Sequence, residues 1–201
     1  MNVIAQNPEE KIEAALQKLS LLHRALLWEQ AKKEGLSPIQ IQFLLYLSQS
    51  AEEVITIGQL AKKFLLTPAT VSDAVKVLKQ KNLIEKSRHS SDRRRQSLFL
   101  TDRGREITAR LSKWNQKIIE QIKQFSLQMQ DTVIIFLLEL FESLKKIDFA
   151  YIIDTCLSCR HFQKNVYPTP DEQHLCLYRK QGLSNLDLRI DCPNYKTKLS
   201  V

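Results

Sequence analysis

From Pro8 to Glu34 the apolar residues Ile12, Leu16, Leu19, Leu22 and Leu26 recur at steps of three and four. That spacing puts them on one stripe and predicts an amphipathic helix, ended by Gly35. His23 lies beside the stripe and reads as a packed or partly exposed histidine. Ser37-Pro38 is a cap-and-proline start for a helix to about Gln49, with Ile41, Leu44, Leu45 and Leu47 on its buried face. A short helix follows over "TIGQLAKKF", Thr56 to Phe64, burying Leu60, Ala61 and Phe64. Thr67-Pro68 repeats the start signal for a helix to about Lys81, whose inward residues are Val71, Val75 and Leu78. Asn82 stands where a left-handed residue should close that helix.

Two short alternating runs come next, "LIEKSR" and "QSLFLT", joined by the polar "HSSDRRR". They predict a β-hairpin with a charged tip. Two short helices, a turn, a third helix and a basic hairpin make a winged helix-turn-helix. After Gly104 one long helix is expected, with Ile107, Leu111, Trp114, Ile118, Ile122 and Phe125 on one face. A further helix, Asp131 to about Phe149, has two apolar stripes: Val133, Leu137, Leu140, Leu144 and Ile147, and Ile134, Leu138 and Phe141. A helix apolar on two sides needs partners on two sides. The expected partner is a second copy of the chain, its terminal helices interlocked with the first.

The fold class is therefore mainly α with a small β-wing. The expected segments are an N-terminal dimerisation helix (1–36), the winged domain (37–105), dimerisation helices (106–150) and a cysteine-rich tail (151–201). Four glycines and six prolines in 201 residues suit long helices with few loops. The start, Met1 to Glu10, is polar and acidic, unlike a signal peptide. The most apolar run, Val133 to Leu138, is far short of the roughly 20 residues a membrane span needs. A cytoplasmic chain without membrane contact is expected.

Charge sharpens the picture. Between Thr56 and Arg105, six Lys and six Arg stand against Asp73, Glu85, Asp92 and Asp102, a surplus of eight that equals the net charge of the whole chain, +8. Such confinement points to a polyanionic partner, nucleic acid before membrane.

The pieces "LSPIQIQFLLYL", "TIGQLAKKFLLTPATVSDAVKVLKQKNLIEK" and "SSDRRRQSLFLTDRG" resemble the MarR (multiple antibiotic resistance regulator) family. The resemblance is close over Ser37 to Glu106. Its wing pattern is Asp92, Arg94, Leu100, Thr101 and Gly104. Asp73 stands where the family often has a basic or amide residue, and Asn82 where glycine is usual. The resemblance implies a homodimer that binds a pseudo-palindromic operator in double-stranded DNA and regulates transcription, as a repressor, with a small-molecule or redox signal as a candidate input.

On that reading Thr70, Ser72, Asp73 and Lys76 face the major groove, and Thr67 is a further DNA-binding residue. The wing tip reaches the minor groove, where a guanidinium is favoured. Asp92 would orient Arg94 through a two-pronged ion pair. Arg88, Arg93 and Arg95 would meet phosphates. Asp73 would either accept from a cytosine amino group or repel phosphates.

Cys156, Cys159, Cys176 and Cys192 follow the pattern C-x2-C-x16-C-x15-C in a 37-residue stretch. Four clustered cysteines in a cytoplasmic chain suggest a metal site rather than disulfides. Four thiolates suit tetrahedral zinc, with an iron–sulfur cluster as the alternative. Cys192-Pro193 is a placement also common in cluster proteins. His161 and His174 are alternative ligands, although the four thiolates already complete a tetrahedral set. The tail is poor in apolar residues and needs a staple to fold. No Ser/His/Asp order, glycine-rich phosphate loop or carboxylate cluster indicates an enzyme, and the Asp92-Arg94 pair argues against a winged domain that has lost DNA.

Overall fold

The computed structural model describes residues 7–49, 55–88, 96–145, 154–192 and 194–198. They divide into two compact units, Met1–Ile119 and Glu120–Val201.

The first unit opens with α1, Pro8–Glu34. The Asn7 side chain accepts from the Glu10 amide at 2.9 Å while Glu10 accepts from the Asn7 amide, a capping box with Pro8 in the first turn. Gly35 closes the helix at φ 61°. Only Leu27 and Ala31 of α1 are buried; Ile12, Leu19 and Leu22 of the predicted stripe are exposed. Helix α2, Pro38–Gln49, starts at Ser37, whose amide donates to Gln40 Oε1 at 2.9 Å. Its buried side includes Ile41, Leu44 and Leu47 as expected, and also Phe43, which the apolar spacing left out. Phe43 is wholly enclosed and meets Phe64 at 5.1 Å between ring centres.

Helix α3, Ile57–Lys63, has a capping box between Thr56 and Gln59. Helix α4, Pro68–Gln80, is capped by Thr67, which accepts from the Thr70 amide. The turn between them passes through Leu65 at φ 53°, and α4 ends at Asn82 with φ 56°. Strands β1, Ile84–Arg88, and β2, Gln96–Leu100, pair antiparallel from Ile84–Leu100 to Arg88–Gln96. The Leu98 amide also donates to Ile55 O at 2.8 Å, so the chain before α3 flanks the hairpin. Helix α5, Asp102–Leu111, follows directly. One core joins these elements: Ile41, Leu44, Leu60, Val71, Val75, Leu78, Leu83, Ile84, Leu98 and Leu111 all lie in it.

The long helix expected after Gly104 is divided. Helix α5 stops at Leu111, and α6, Gln116–Ile122, begins after a turn. Ser112 ends α5, its hydroxyl bonding back to Ala109 O, and Trp114 and Gln116 make short-range turn bonds to Leu111 and Lys113. Trp114 packs against the core from this turn and meets His23 edge-on at 5.5 Å.

In the second unit α7 spans Leu127–Leu144, starting four residues before the expected Asp131. Ser126 is the cap; its hydroxyl accepts from the Met129 amide at 3.3 Å. The expected helix end near Phe149 lies outside the described residues. A short 3-10 turn, Cys156–Ser158, leads to a three-stranded antiparallel sheet of β3 (Phe162–Gln163), β4 (His174–Cys176) and β5 (Gln181–Leu183), ordered β3-β4-β5. A second small core contains Leu138, Phe162, Leu183 and Leu188, with Ile134 and Ile135 packed on it. The cysteine-rich segment thus covers the Ile134/Leu138 stripe of α7, while Val133, Phe136 and Leu144 stay exposed. Among the described residues no helix is long and apolar enough to cross a membrane.

Candidate functional site

Helix α4 has two faces with different jobs. Val71, Val75 and Leu78 are 0% exposed and fix the helix on the core. Thr67, Thr70, Ser72, Asp73 and Lys76 are all exposed, as the sequence reading placed them. Thr67 and Thr70 are joined by a 2.8 Å contact between their hydroxyls, at the end of the helix where unpaired amides and the dipole favour an anion. Lys79 shares the open face, three residues beyond Lys76, and is exposed; that spacing was available in the sequence and was not used.

Not every cation of the basic segment is free for a ligand. Lys81 donates to Gly35 O at 2.9 Å, closing the last turn of α1. Arg105 donates to Leu100 O at 2.7 Å and pairs with Asp102. Asp92, Arg93, Arg94 and Arg95 lie outside the described residues, and Arg88 is described only as the last residue of β1. The base of the wing is rigidly held. Thr101 caps α5, its hydroxyl accepting from the Gly104 amide at 3.0 Å and donating to Asn82 O at 2.8 Å, while its amide bonds to Leu83 O.

The four cysteines are brought together. Cys156, Cys159, Cys176 and Cys192 all line one cavity, with His161, Tyr178, Arg179 and Arg189. Cys156 and Cys159 are buried at the ends of the 3-10 turn, and Cys159 closes it through an amide bond to Cys156 O. Cys176 ends β4 opposite Phe162. Cys192 is anchored by its backbone N–H, which donates a hydrogen bond to Asp154 O. The Arg189 amide donates to Cys156 Sγ at 3.2 Å, the kind of contact that supports a thiolate. Burial pushes the Cys156 thiol up from its ordinary value, and this amide pulls the other way. All four thiols are free, and among the described residues no three His, Cys, Asp or Glu side chains stand in closed metal-holding geometry.

The two histidines separate. His174 is 2% exposed and engaged at both ring nitrogens: Nδ1 accepts from the Asn165 amide at 3.1 Å, and Nε2 lies 3.0 Å from both Asn185 Oδ1 and Gln173 Nε2. Asn185 donates in turn to Asp131 on α7. His174 is thus engaged by framework bonds at both ring nitrogens. His161 lines the cavity with the thiols.

A polar network the sequence did not reveal ties the knuckle to α7. Thr155, wholly buried, donates to Glu142 Oε1 at 2.8 Å; Lys145 pairs with the same carboxylate and bonds Ser158. Burial opposes the charge on Glu142, but the bonds from Lys145, Thr155 and Ser158 outweigh it and hold its carboxyl below the ordinary range.

Residues 34–95 match the model of the MarR family. No curated protein matches the chain. Among solved structures, the S. aureus MepR–DNA complex is similar at 19% identity and TM-score 0.60, covering 69% of this chain and 99% of the other. A MarR transcriptional regulator from Methanosarcina mazei Go1 is similar at 22% identity and TM-score 0.58, over 69% and 99%. YusO from Bacillus subtilis is similar at 21% identity and TM-score 0.51, over 68% and 99%. The helix order and the capped hairpin base agree with these comparisons: residues 34–95 are similar to the MarR family, and 69% of the chain shares the fold of these solved structures.

Proposed function

We propose that the protein is a transcription regulator that binds a pseudo-palindromic operator as a homodimer and acts as a repressor. The observation that carries this reading is the two-faced α4, fixed by Val71, Val75 and Leu78 and presenting Thr70, Ser72, Asp73 and Lys76 outward beside a strongly basic hairpin. MepR, which shares the fold, has been seen on DNA. Homodimerisation is supported by apolar residues left open in each unit: Ile12, Leu19 and Leu22 in the first, Phe125, Leu127, Val133 and Phe136 in the second. Salt titration of binding to promoter and random duplexes tests the core claim. A steep slope with a sequence preference is expected; no binding to any duplex overturns it. Sedimentation should give twice the chain mass.

The same proposal places zinc on Cys156, Cys159, Cys176 and Cys192, in a structural or sensory role, with an iron–sulfur cluster as the second reading. The shared cavity and the Arg189 amide on Cys156 support a thiolate-bound group there. A zinc ion would supply a tetrahedral cross-link between segments that otherwise bury little apolar surface. The absorption spectrum of anaerobically purified protein separates the two: brown protein carries a cluster, colourless protein with bound zinc carries the ion.

A further inference from the structure

His161 Nε2 is buried and has no hydrogen-bond partner. It contrasts with His174, whose two ring nitrogens are both engaged by protein groups. A buried imidazole nitrogen left unpaired loses its water without compensation. His161 lines the same cavity as the four cysteines, and its ring rests 5.7 Å from that of Tyr178. The backbone puts it there by construction. Residue 161 is two positions beyond Cys159, and its carbonyl accepts from the Leu177 amide at 2.8 Å, one residue past Cys176. It therefore sits where the knuckle strand and β4 converge, between the second and third cysteines.

We propose that His161 belongs to the cysteine site as a hydrogen-bond donor, its Nε2–H directed at a sulfur of the metal-bound set. This rests on the metal reading of the four cysteines. Four thiolates already satisfy a tetrahedral ion, which leaves His161 no coordination position to fill. They also place excess negative charge on sulfur, and an N–H donor relieves it. Outer contacts of this kind orient ligands and set how tightly the metal is held. His161 is thus a positioning residue that governs how readily the sulfurs lose the ion or are oxidised, the event a sensory tail would report.

The test is a cobalt(II) titration of the reduced, metal-free full chain, comparing the parent with His161→Phe and His161→Gln. Sulfur-to-cobalt charge-transfer intensity counts thiolate ligands. It should be equal in all three proteins, because His161 is not itself a ligand. Affinity should fall about 10-fold or more in His161→Phe and recover in His161→Gln, whose amide can donate. Equal affinity in His161→Phe and parent overturns the proposal. An altered ligand-field spectrum in both variants also overturns it, by making His161 a ligand. No cobalt binding by the parent protein removes the metal reading itself, and this assignment with it.

Discussion

A Cβ built on Gly104 would stand 1.9 Å from the carbonyl oxygen of Leu83. The first turn of α5 therefore lies directly on the chain where α4 passes into β1. Thr101 completes the joint by accepting from the Gly104 amide and donating to Asn82 O. The Leu-Thr-x-x-Gly pattern is thus a weld between the recognition helix, the wing and the helix after it. Gly104→Ala must push backbone away from backbone and should cost about 3 kcal/mol. Thr101→Val removes a cap and a cross-link and should cost about 1.5 kcal/mol, with Thr101→Ser near neutral. Denaturation followed by tryptophan fluorescence reads this cleanly, since both tryptophans, Trp28 and Trp114, lie in the first unit. An unmoved Gly104→Ala midpoint would show the joint to be loose.

Asn82 and Leu65 both occupy left-handed backbone, at φ 56° and 53°. Asn82 should resist change: Asn82→Ala costs about 1 kcal/mol, because alanine lacks the local bonding that lets Asn sit there. Leu65→Gly should do the reverse and stabilise by about 0.5 kcal/mol, the relief of strain exceeding the added chain entropy. Thermal melts of the two variants should move in opposite directions.

These two residues also mark what the sequence could reveal. Asn after a helical run announces its conformation; Leu does not, and the turn at Leu65 exists because α3 and α4 must cross to share Leu60, Val71 and Val75 in one core. The cap-and-proline starts were legible for the same local reason, at Ser37 and Thr67, whereas Asn7 and Thr56, which also cap helices, were not singled out. The break at Ser112 was not legible, because the apolar spacing runs through it without a glycine or proline. The four cysteines were legible as a set by spacing. The difference between His161 and His174 was not, since it depends on Asn165 and Asn185 arriving from distant turns.

Glu142 links α7 to the knuckle and predicts an acid limit for the second unit. Its carboxyl is held below the ordinary range in the folded chain. A depressed folded value means the contribution is complete above the unfolded carboxylate range and fades as pH falls through the folded one. Protection of the Thr155 to Cys159 amides against hydrogen exchange, corrected for the intrinsic pH dependence, should therefore fall as the solution is acidified below about pH 4.5, the usual carboxylate value. Glu142→Gln should flatten that dependence. A parent profile as flat as the variant's would remove Glu142 from the joint.

Cys159 closes the 3-10 turn and is buried among the other thiols. Cys159→Ser keeps the shape but offers a hard oxygen in place of a soft thiolate. Bound metal, measured by elemental analysis of purified protein, should fall from one equivalent to near none, and proteolysis of the segment after Asp154 should speed up. Equal metal content in variant and parent would remove Cys159 from the site.

On the proposed DNA-binding reading the wing should make two kinds of contact, Arg94 in the minor groove beside Asp92 and Arg93 on phosphate. Losing a guanidinium from a groove should cost affinity selectively for the operator, about 2 kcal/mol for Arg94→Ala, and lower the preference over random DNA. Losing a phosphate contact should weaken all duplexes alike and reduce the salt slope by about one counterion for Arg93→Ala. Asp92→Asn should resemble a milder Arg94→Ala if the expected Asp92–Arg94 pair holds the guanidinium ready. Fluorescence anisotropy at several salt concentrations, with promoter and random duplexes, resolves both effects. If Arg94→Ala lowered binding to the two duplexes equally, the three arginines would be an undivided phosphate clamp, and sequence discrimination would have to come from α4 alone.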